Sequence, residues 1–402
     1  MNSLVCEKIE IDSIRIDNYL QKIDEILVHK IYPNDTLFSG NLGKVLYFMY
    51  RYRTSENIYF ADLASKTLGQ VLENIREKKG KISFTCSLSS GLTGLCFINM
   101  LLEDDDFVDL EMDKTFIQFD AIIFEKACQQ IKEGNLDYLH GALGSLYYFS
   151  FRVNRNENIP LYIAQMVDLI LKAAVIEFDV ICFENMYINK MNDTPGSLNF
   201  GFAHGLSGMV MVLLKVYQTG IARNNVQKLI NGFVKFTLSK YQKTNFEKKQ
   251  FSHFPMTIEH QNQGNYSSFL GWCYGDLNQA IMFYQAGKIL NRIDLINVAE
   301  NISQTALKRT QKKGVFMDNH FFCHGTSGLA QMYHSLEQIS EYSIYQEGYQ
   351  YWLNETMNYL EKLDWYSNAD KGLLGGLEGL GLVLMSSQTD KKTLWDRLFL
   401  LQ

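Results

Sequence analysis

The sequence predicts an all-α fold, an α/α toroid in which about seven inner helices are surrounded by about seven outer ones. Three observations carry this expectation. Gly-x-x-Gly-like signatures recur with their first glycine at 40, 91, 141, 205, 275, 325 and 376, giving intervals of 51, 50, 64, 70, 50 and 51 residues. Each signature opens a run that is apolar around most of a helix, and amphipathic runs lie between them. Only four prolines occur in 402 residues, so helices meet few breakers.

A period near fifty residues holds two helices and two loops. Residues 9–30 read as a leading helix outside the strict repeat, with residues 1–30 ahead of a seven-fold repeat over 31–390. The whole chain, 1–402, reads as one domain. The segments 95–102, 146–151, 209–217 and 377–385 are apolar on all sides and belong in the inner ring. The segments 59–79, 161–178, 225–241, 293–312 and 351–365 carry charged outer faces and belong outside. Glycine is expected at the inner helix starts because tight packing leaves little room for a Cβ, or because the turn needs a positive φ. The two long intervals place extra chain in 179–202 and 244–271, expected to form a substrate-facing rim.

Composition narrows the function. The net charge is −6, from 38 basic and 44 acidic residues, with no long basic run, so neither nucleic acid nor an anionic membrane is indicated as partner. No segment reaches the roughly 18 uninterrupted apolar residues of a membrane span. The first eight residues lack an apolar signal-peptide core, so a cytoplasmic location is expected. The seven cysteines are odd in number and scattered, which suits a reducing compartment better than a disulfide framework.

The repeat lets the chain be read in columns. A ring would gather its helix starts at one mouth. Immediately before the first glycine stand Ser39, Ser90, His140, His204, Tyr274, His324 and Gly375. One place earlier stand Phe38, Ser89, Leu139, Ala203, Cys273, Cys323 and Leu374. Adjacent repeats thus supply Cys273 and Cys323 in register, with His324 contiguous. Two thiolates and an imidazole suit Zn²⁺, and three protein ligands leave a fourth position open. The bland reading is two ordinary buried cysteines, which the shared register disfavours.

His204 lacks a neighbouring cysteine and is placed as a proton donor or acceptor near the metal; a structural His at a helix start is the alternative. His140 shares its column. Asp137, three residues earlier, either orients a histidine or caps a helix. Tyr274 follows the first ligand and either hydrogen-bonds near the metal or belongs to the core. Zinc lowers the pKa of a bound thiol from about 8.5. Two protein thiolates also leave the ion weakly Lewis-acidic, which favours a thiolate nucleophile. A Michael acceptor would complete the reaction, with His204 protonating the enolate.

Ala203-His204-Gly205-Leu206-Ser207-Gly208, Trp272-Cys273-Tyr274-Gly275 and Cys323-His324-Gly325 resemble the three signature motifs of the lanthionine synthetase C-like cyclases. The seven glycine signatures match that family's double α-barrel over nearly the whole chain. The resemblance implies zinc on Cys273, Cys323 and His324, with His204, Asp137 and Tyr274 in the active site. It implies as partner a leader-bearing precursor peptide whose Ser and Thr have been dehydrated. Addition of its Cys thiols to dehydroalanine or dehydrobutyrine makes (methyl)lanthionine rings. Phe269 stands where several members have an Arg, four residues before the first zinc cysteine, so another enolate donor is needed, for which His140 is placed. No room exists for a large leader-binding insertion between the second and third repeats. The chain is expected to act as a stand-alone cyclase beside separate dehydratases.

Three other readings keep part of this chemistry. One is glutathione addition to dehydroamino acids, as in eukaryotic relatives, which calls for a basic pocket. The second is a prenyltransferase-like barrel, which normally uses an Asp ligand and a partner subunit. The third is a zinc-stabilised scaffold without catalysis. A carboxylate-based α/α-barrel glycosidase would leave the cysteine register unexplained.

Overall fold

The computed structural model describes residues 12–107, 113–177, 179–259, 264–311, 314–315, 317, 319–365, 372–389 and 393–402. The chain enters through α1 (Ser13–His29) and then alternates inner and outer helices. The first three pairs are α2 (Asn41–Ser55) with α3 (Ile58–Arg76), α4 (Leu92–Asp104) with α5 (Asp113–Lys132), and α6 (Ala142–Phe151) with α7 (Ile159–Ala173). A short α8 (Met186–Asn192) precedes α9 (Leu206–Thr219) with α10 (Arg223–Ser239). Then follow α11 (Asp276–Leu290) with α12 (Ile293–Leu307), α13 (Thr326–Ser340) with α14 (Tyr345–Leu360), the one-turn α15 (Gly372–Gly375), and α16 (Leu377–Ser386).

Inner helices touch around the circuit α2, α4, α6, α9, α11, α13, α16, and α16 returns to α2, so the ring closes as an α/α toroid. Burial follows the two sequence patterns. In α4, Leu92 through Leu102 are buried without a break, whereas α3 buries one stripe, Phe60, Ala64, Leu68 and Val71. The leading helix is less of an outsider than its sequence predicts. It packs on α16 through Ile16, Leu20, Ile23 and Leu27, and so serves as the outer partner of the seventh inner helix.

Each inner helix begins at its signature glycine. Six of these glycines are extended, with φ from −114° to −148°. Only Gly275 has positive φ, at 115°, so crowding rather than handedness accounts for the rest of the column.

Boundaries differ where local chemistry changes. The outer helix expected over 161–178 ends at Ala173, and Val175–Glu177 (β1) pairs antiparallel with Val180–Cys182 (β2). β-Branched Val175, Ile176, Val180 and Ile181 favour the strand, and Asp179 takes the left-handed turn, φ 64°. The leading helix starts at Ser13, where Asp12 accepts from the Arg15 N–H; residues 9–11 lie outside the described residues. The helix expected over 293–312 ends at Leu307, and that expected over 351–365 runs over Tyr345–Leu360.

Backbone hydrogen bonds join one repeat to the next through the column two residues before each glycine. Leu37 N–H donates to Ser89 O (3.1 Å), Ser89 N–H to Leu139 O (2.8 Å), Cys323 N–H to Leu374 O (2.8 Å), and Leu373 N–H to Phe38 O (2.9 Å). At the third repeat the Leu139 N–H turns instead to the Asp137 carboxylate, 2.9 Å. There the two long extensions enter. Their strands Leu198–Asn199 (β3), Thr257–Ile258 (β4) and Gly264–Asn265 (β5) form one antiparallel sheet in that order. The two rim segments are thereby stitched together.

The bore of the ring is filled by residues 394–402, which sequence periodicity does not assign. Trp395 to Phe399 form a 3₁₀ turn, and Trp395, Leu398 and Phe399 are fully buried. The Phe399 ring lies 4.1 Å from Phe322, 5.4 Å from Trp272 and 5.7 Å from Phe38.

Candidate active site

The bonds that join repeats five and six also bring the cysteine column together. Trp272 N–H donates to Cys323 O (3.0 Å), and Gly271 N–H donates to Tyr274 O (2.9 Å), closing the turn that carries Cys273. Asn278 Nδ2 braces that turn from α11, donating to Gly271 O and Trp272 O at 3.2 and 3.1 Å. Cys273 and Cys323 are buried, with Cα atoms 5.9 Å apart. His324 Nε2 lies 3.6 Å from Cys323 Sγ.

Among the described residues, Cys273, Cys323 and His324 form the cluster able to hold a metal ion, their donor atoms all within 4.8 Å of one another. Two soft sulfurs with one imidazole are a donor set that fits zinc. The two sulfurs stand in direct contact, as the shared register of the two cysteines leads one to expect. Cys86, Cys96, Cys128 and Cys182 are free. A metal binds these cysteines as thiolates, so the reduced pair is the metal-competent one.

The second group gathers around Asp137, which is fully buried. Its Oδ1 accepts from the Leu139 and His140 N–H groups, both at 2.9 Å. Its Oδ2 accepts from His204 Nδ1 at 2.6 Å and Asn185 Nδ2 at 3.0 Å. Burial would raise this carboxyl, but the opposing pull of His204 and His140 holds it below its ordinary range. An ionised carboxylate only accepts, so His204 carries its proton on Nδ1 and keeps Nε2 for a substrate. Asp137 therefore both caps its turn and orients His204.

His140 stacks over His204, ring centroids 6.2 Å apart. Burial lowers its pKa further than Asp137 restores it, so it is neutral at pH 7. Tyr274 accepts from Asn199 Nδ2 at 3.1 Å, and burial raises its pKa, so the phenol keeps its proton for donation. The two groups meet through the turn that leads into the fourth signature. A Cβ on Gly201 would fall on the Cys273 carbonyl oxygen, so only glycine permits that approach.

The structure thus brings Cys273, Cys323 and His324 into one cluster and Asp137, His204 and His140 into another, with Tyr274 directly after Cys273. Phe269 packs edge-on against the His324 ring, centroids 5.7 Å apart. Arg309, seen only in the structure, does not take the place of the Arg expected at position 269. It is buried behind this loop, donating to Ser268 O and, at 3.2 Å, to Gly314 O, and it pairs with Asp276 at 3.4 Å. Asn185 and Asn199 also escape the column reading, because they lie in the rim extension and have no counterpart in other repeats.

Comparison with known proteins identifies the family. The family described as lanthionine synthetase C-like protein matches residues 33–400. The nisin biosynthesis protein NisC of Lactococcus lactis subsp. lactis is 25% identical over 323 residues, 75% of this chain and 73% of that protein. The solved structure of a nisin cyclase superposes with a TM-score of 0.76 at 20% identity, covering 96% of this chain and 97% of that one. This chain belongs to the lanthionine synthetase C-like family.

Proposed function

We propose that this protein is a zinc-dependent lanthipeptide cyclase, closing thioether rings in a dehydrated precursor peptide. The observation that carries the reading is the convergence of Cys273, Cys323 and His324 beside an oriented His204–Asp137 pair. Family membership and the likeness to a nisin cyclase support it.

Cys273, Cys323 and His324 would hold Zn²⁺, which when bound lets a peptide thiol ionise at neutral pH. The peptide sulfur then adds to the β-carbon of dehydroalanine or dehydrobutyrine. A C–S bond forms, the C=C π bond breaks, and its electron pair passes to the α-carbon and carbonyl oxygen. His204 Nε2 takes up the proton lost from the thiol and then delivers it to the α-carbon, which returns it to its starting state. Asp137 fixes the Nδ1–H tautomer throughout. The Tyr274 O–H and the N–H of neutral His140 would donate to the developing enolate oxygen, the task left open by Phe269.

The dehydroamino acids must be made before this step, so separate dehydratases acting on the same leader-bearing peptide are the expected partners. The need for free thiols places the reaction in the cytoplasm. Among the described residues no helix is long and apolar enough to cross a membrane. The test is incubation of reduced, zinc-loaded protein with a dehydrated peptide. Loss of free thiol at unchanged peptide mass supports ring closure. Addition of supplied glutathione in preference to the peptide's own thiols would replace this reading with thiol transfer.

A further inference from the structure

The line of half-buried rings does not end at His140. Tyr187, on α8, lies against the His140 ring with centroids 5.0 Å apart and planes 28° apart. A cavity opens on each side of it. One, of about 240 Å³, is bounded by His140 and by the hydroxyls of Ser83, Thr85 and Ser90 at the second-repeat mouth. The other, of about 540 Å³, lies between the end of α5 and the rim extension, bounded by Glu184, Met186 and Asn189. Tyr187 and Gln130 wall both cavities, so the two adjoin along that ridge as the halves of a trough.

The direction of this trough follows from the order of repeats around the mouth. Repeats six and five hold the cysteines, repeat four His204, repeat three His140, and repeat two the far hydroxyls. The trough therefore leaves the acid–base pair on the side away from the metal ligands. Hydroxyl and amide groups line it, a chemistry that pairs with peptide N–H and C=O groups. Met186, in the lining, is 48% exposed, offering soft apolar contact for side chains. Lys126 and Lys190 stand against Glu133, Glu184 and Asp193, so no strong field of either sign governs entry.

We propose that this trough seats the extended stretch of substrate peptide that flanks the reacting residues, with Tyr187 as the ridge over which the chain passes. The proposal rests on the peptide-cyclase reading and names the part of the protein that would hold the peptide outside the chemistry. The experiment is fluorescence anisotropy with a labelled dehydrated peptide, full-length or trimmed to the Cys–dehydroalanine segment, together with a separate cyclisation assay of the wild type.

Tyr187→Ala should weaken full-length peptide binding about tenfold or more, Tyr187→Phe should restore it, and Gln130→Trp, which fills the trough beside the ridge, should weaken it again. The trimmed peptide should bind wild type and Tyr187→Ala equally. Equal binding of the full-length peptide by wild type, Tyr187→Ala and Gln130→Trp would overturn the trough, even with rings still closing. An equal loss for the trimmed peptide would also overturn it, since Tyr187 would then act only through His140. Tyr187-dependent binding by a protein that closes no rings would instead sink the cyclase reading and leave the trough standing.

Discussion

At the scale of single residues, Asp137 does two jobs that the sequence presents as alternatives. One oxygen caps the turn before α6, and the other fixes the His204 tautomer. His204→Ala should therefore keep its metal and its helical spectrum but lose about 10²–10⁴-fold in cyclisation rate, the usual range for a general acid–base group. A rate within a few-fold of wild type would remove His204 from the mechanism. Both Asp137 and His140 have folded pKa values below their ordinary ones. The unfolded state thus binds protons first as pH falls, so each group contributes stability above its unfolded pKa and loses it on acidification. For His140 the loss begins below about pH 6.5, and for Asp137 below about pH 3.9. Thermal melts across pH 3–7 should show a shallower acid decline in His140→Asn in the upper part of that window; parallel curves would contradict the assigned shift.

At the scale of elements, the glycine columns explain both what was legible and what was not. Columns exist because each repeat delivers its helix start to the same mouth, and that is why Cys273, Cys323, His324, His204 and His140 were readable without coordinates. The segment 394–402, Asn185, Asn199 and Tyr187 have no counterpart in other repeats, so no register exposes them. The β1–β2 hairpin was hidden for a different reason, since an apolar run of Val and Ile has no period that separates strand from helix over so few residues. The bore-filling segment has a consequence for the metal. Trp272 and Phe322, each immediately before a cysteine of the candidate metal cluster, both pack on Phe399, and Trp272 Nε1 donates to Phe399 O at 2.7 Å. Phe399→Ala should destabilise the fold by about 3–5 kcal/mol and also weaken zinc affinity. Phe149→Ala, equally buried but away from the cysteine turns, should destabilise without that loss. Equal zinc affinity in the two variants, measured by competition with a chelator, would show that the segment does not position the ligands.

At the scale of the whole molecule, closure of the ring makes the site a property of the fold rather than of any one segment. The two cysteines belong to repeats that meet only when α11 and α13 are packed side by side. Metal bound there favours the folded state alone, and at about 100 times its dissociation constant should add about 2.7 kcal/mol of stability. Melting temperature should thus rise with zinc in reduced wild type and stay fixed in Cys273→Ala; a rise in both would place the stabilising metal elsewhere. The most direct test of the account is elemental analysis of thiol-reduced wild type beside Cys323→Ala. About one zinc per chain in the first and almost none in the second is the predicted result. Reduced wild type without zinc, or a Cys323→Ala protein that keeps its full complement, would contradict it.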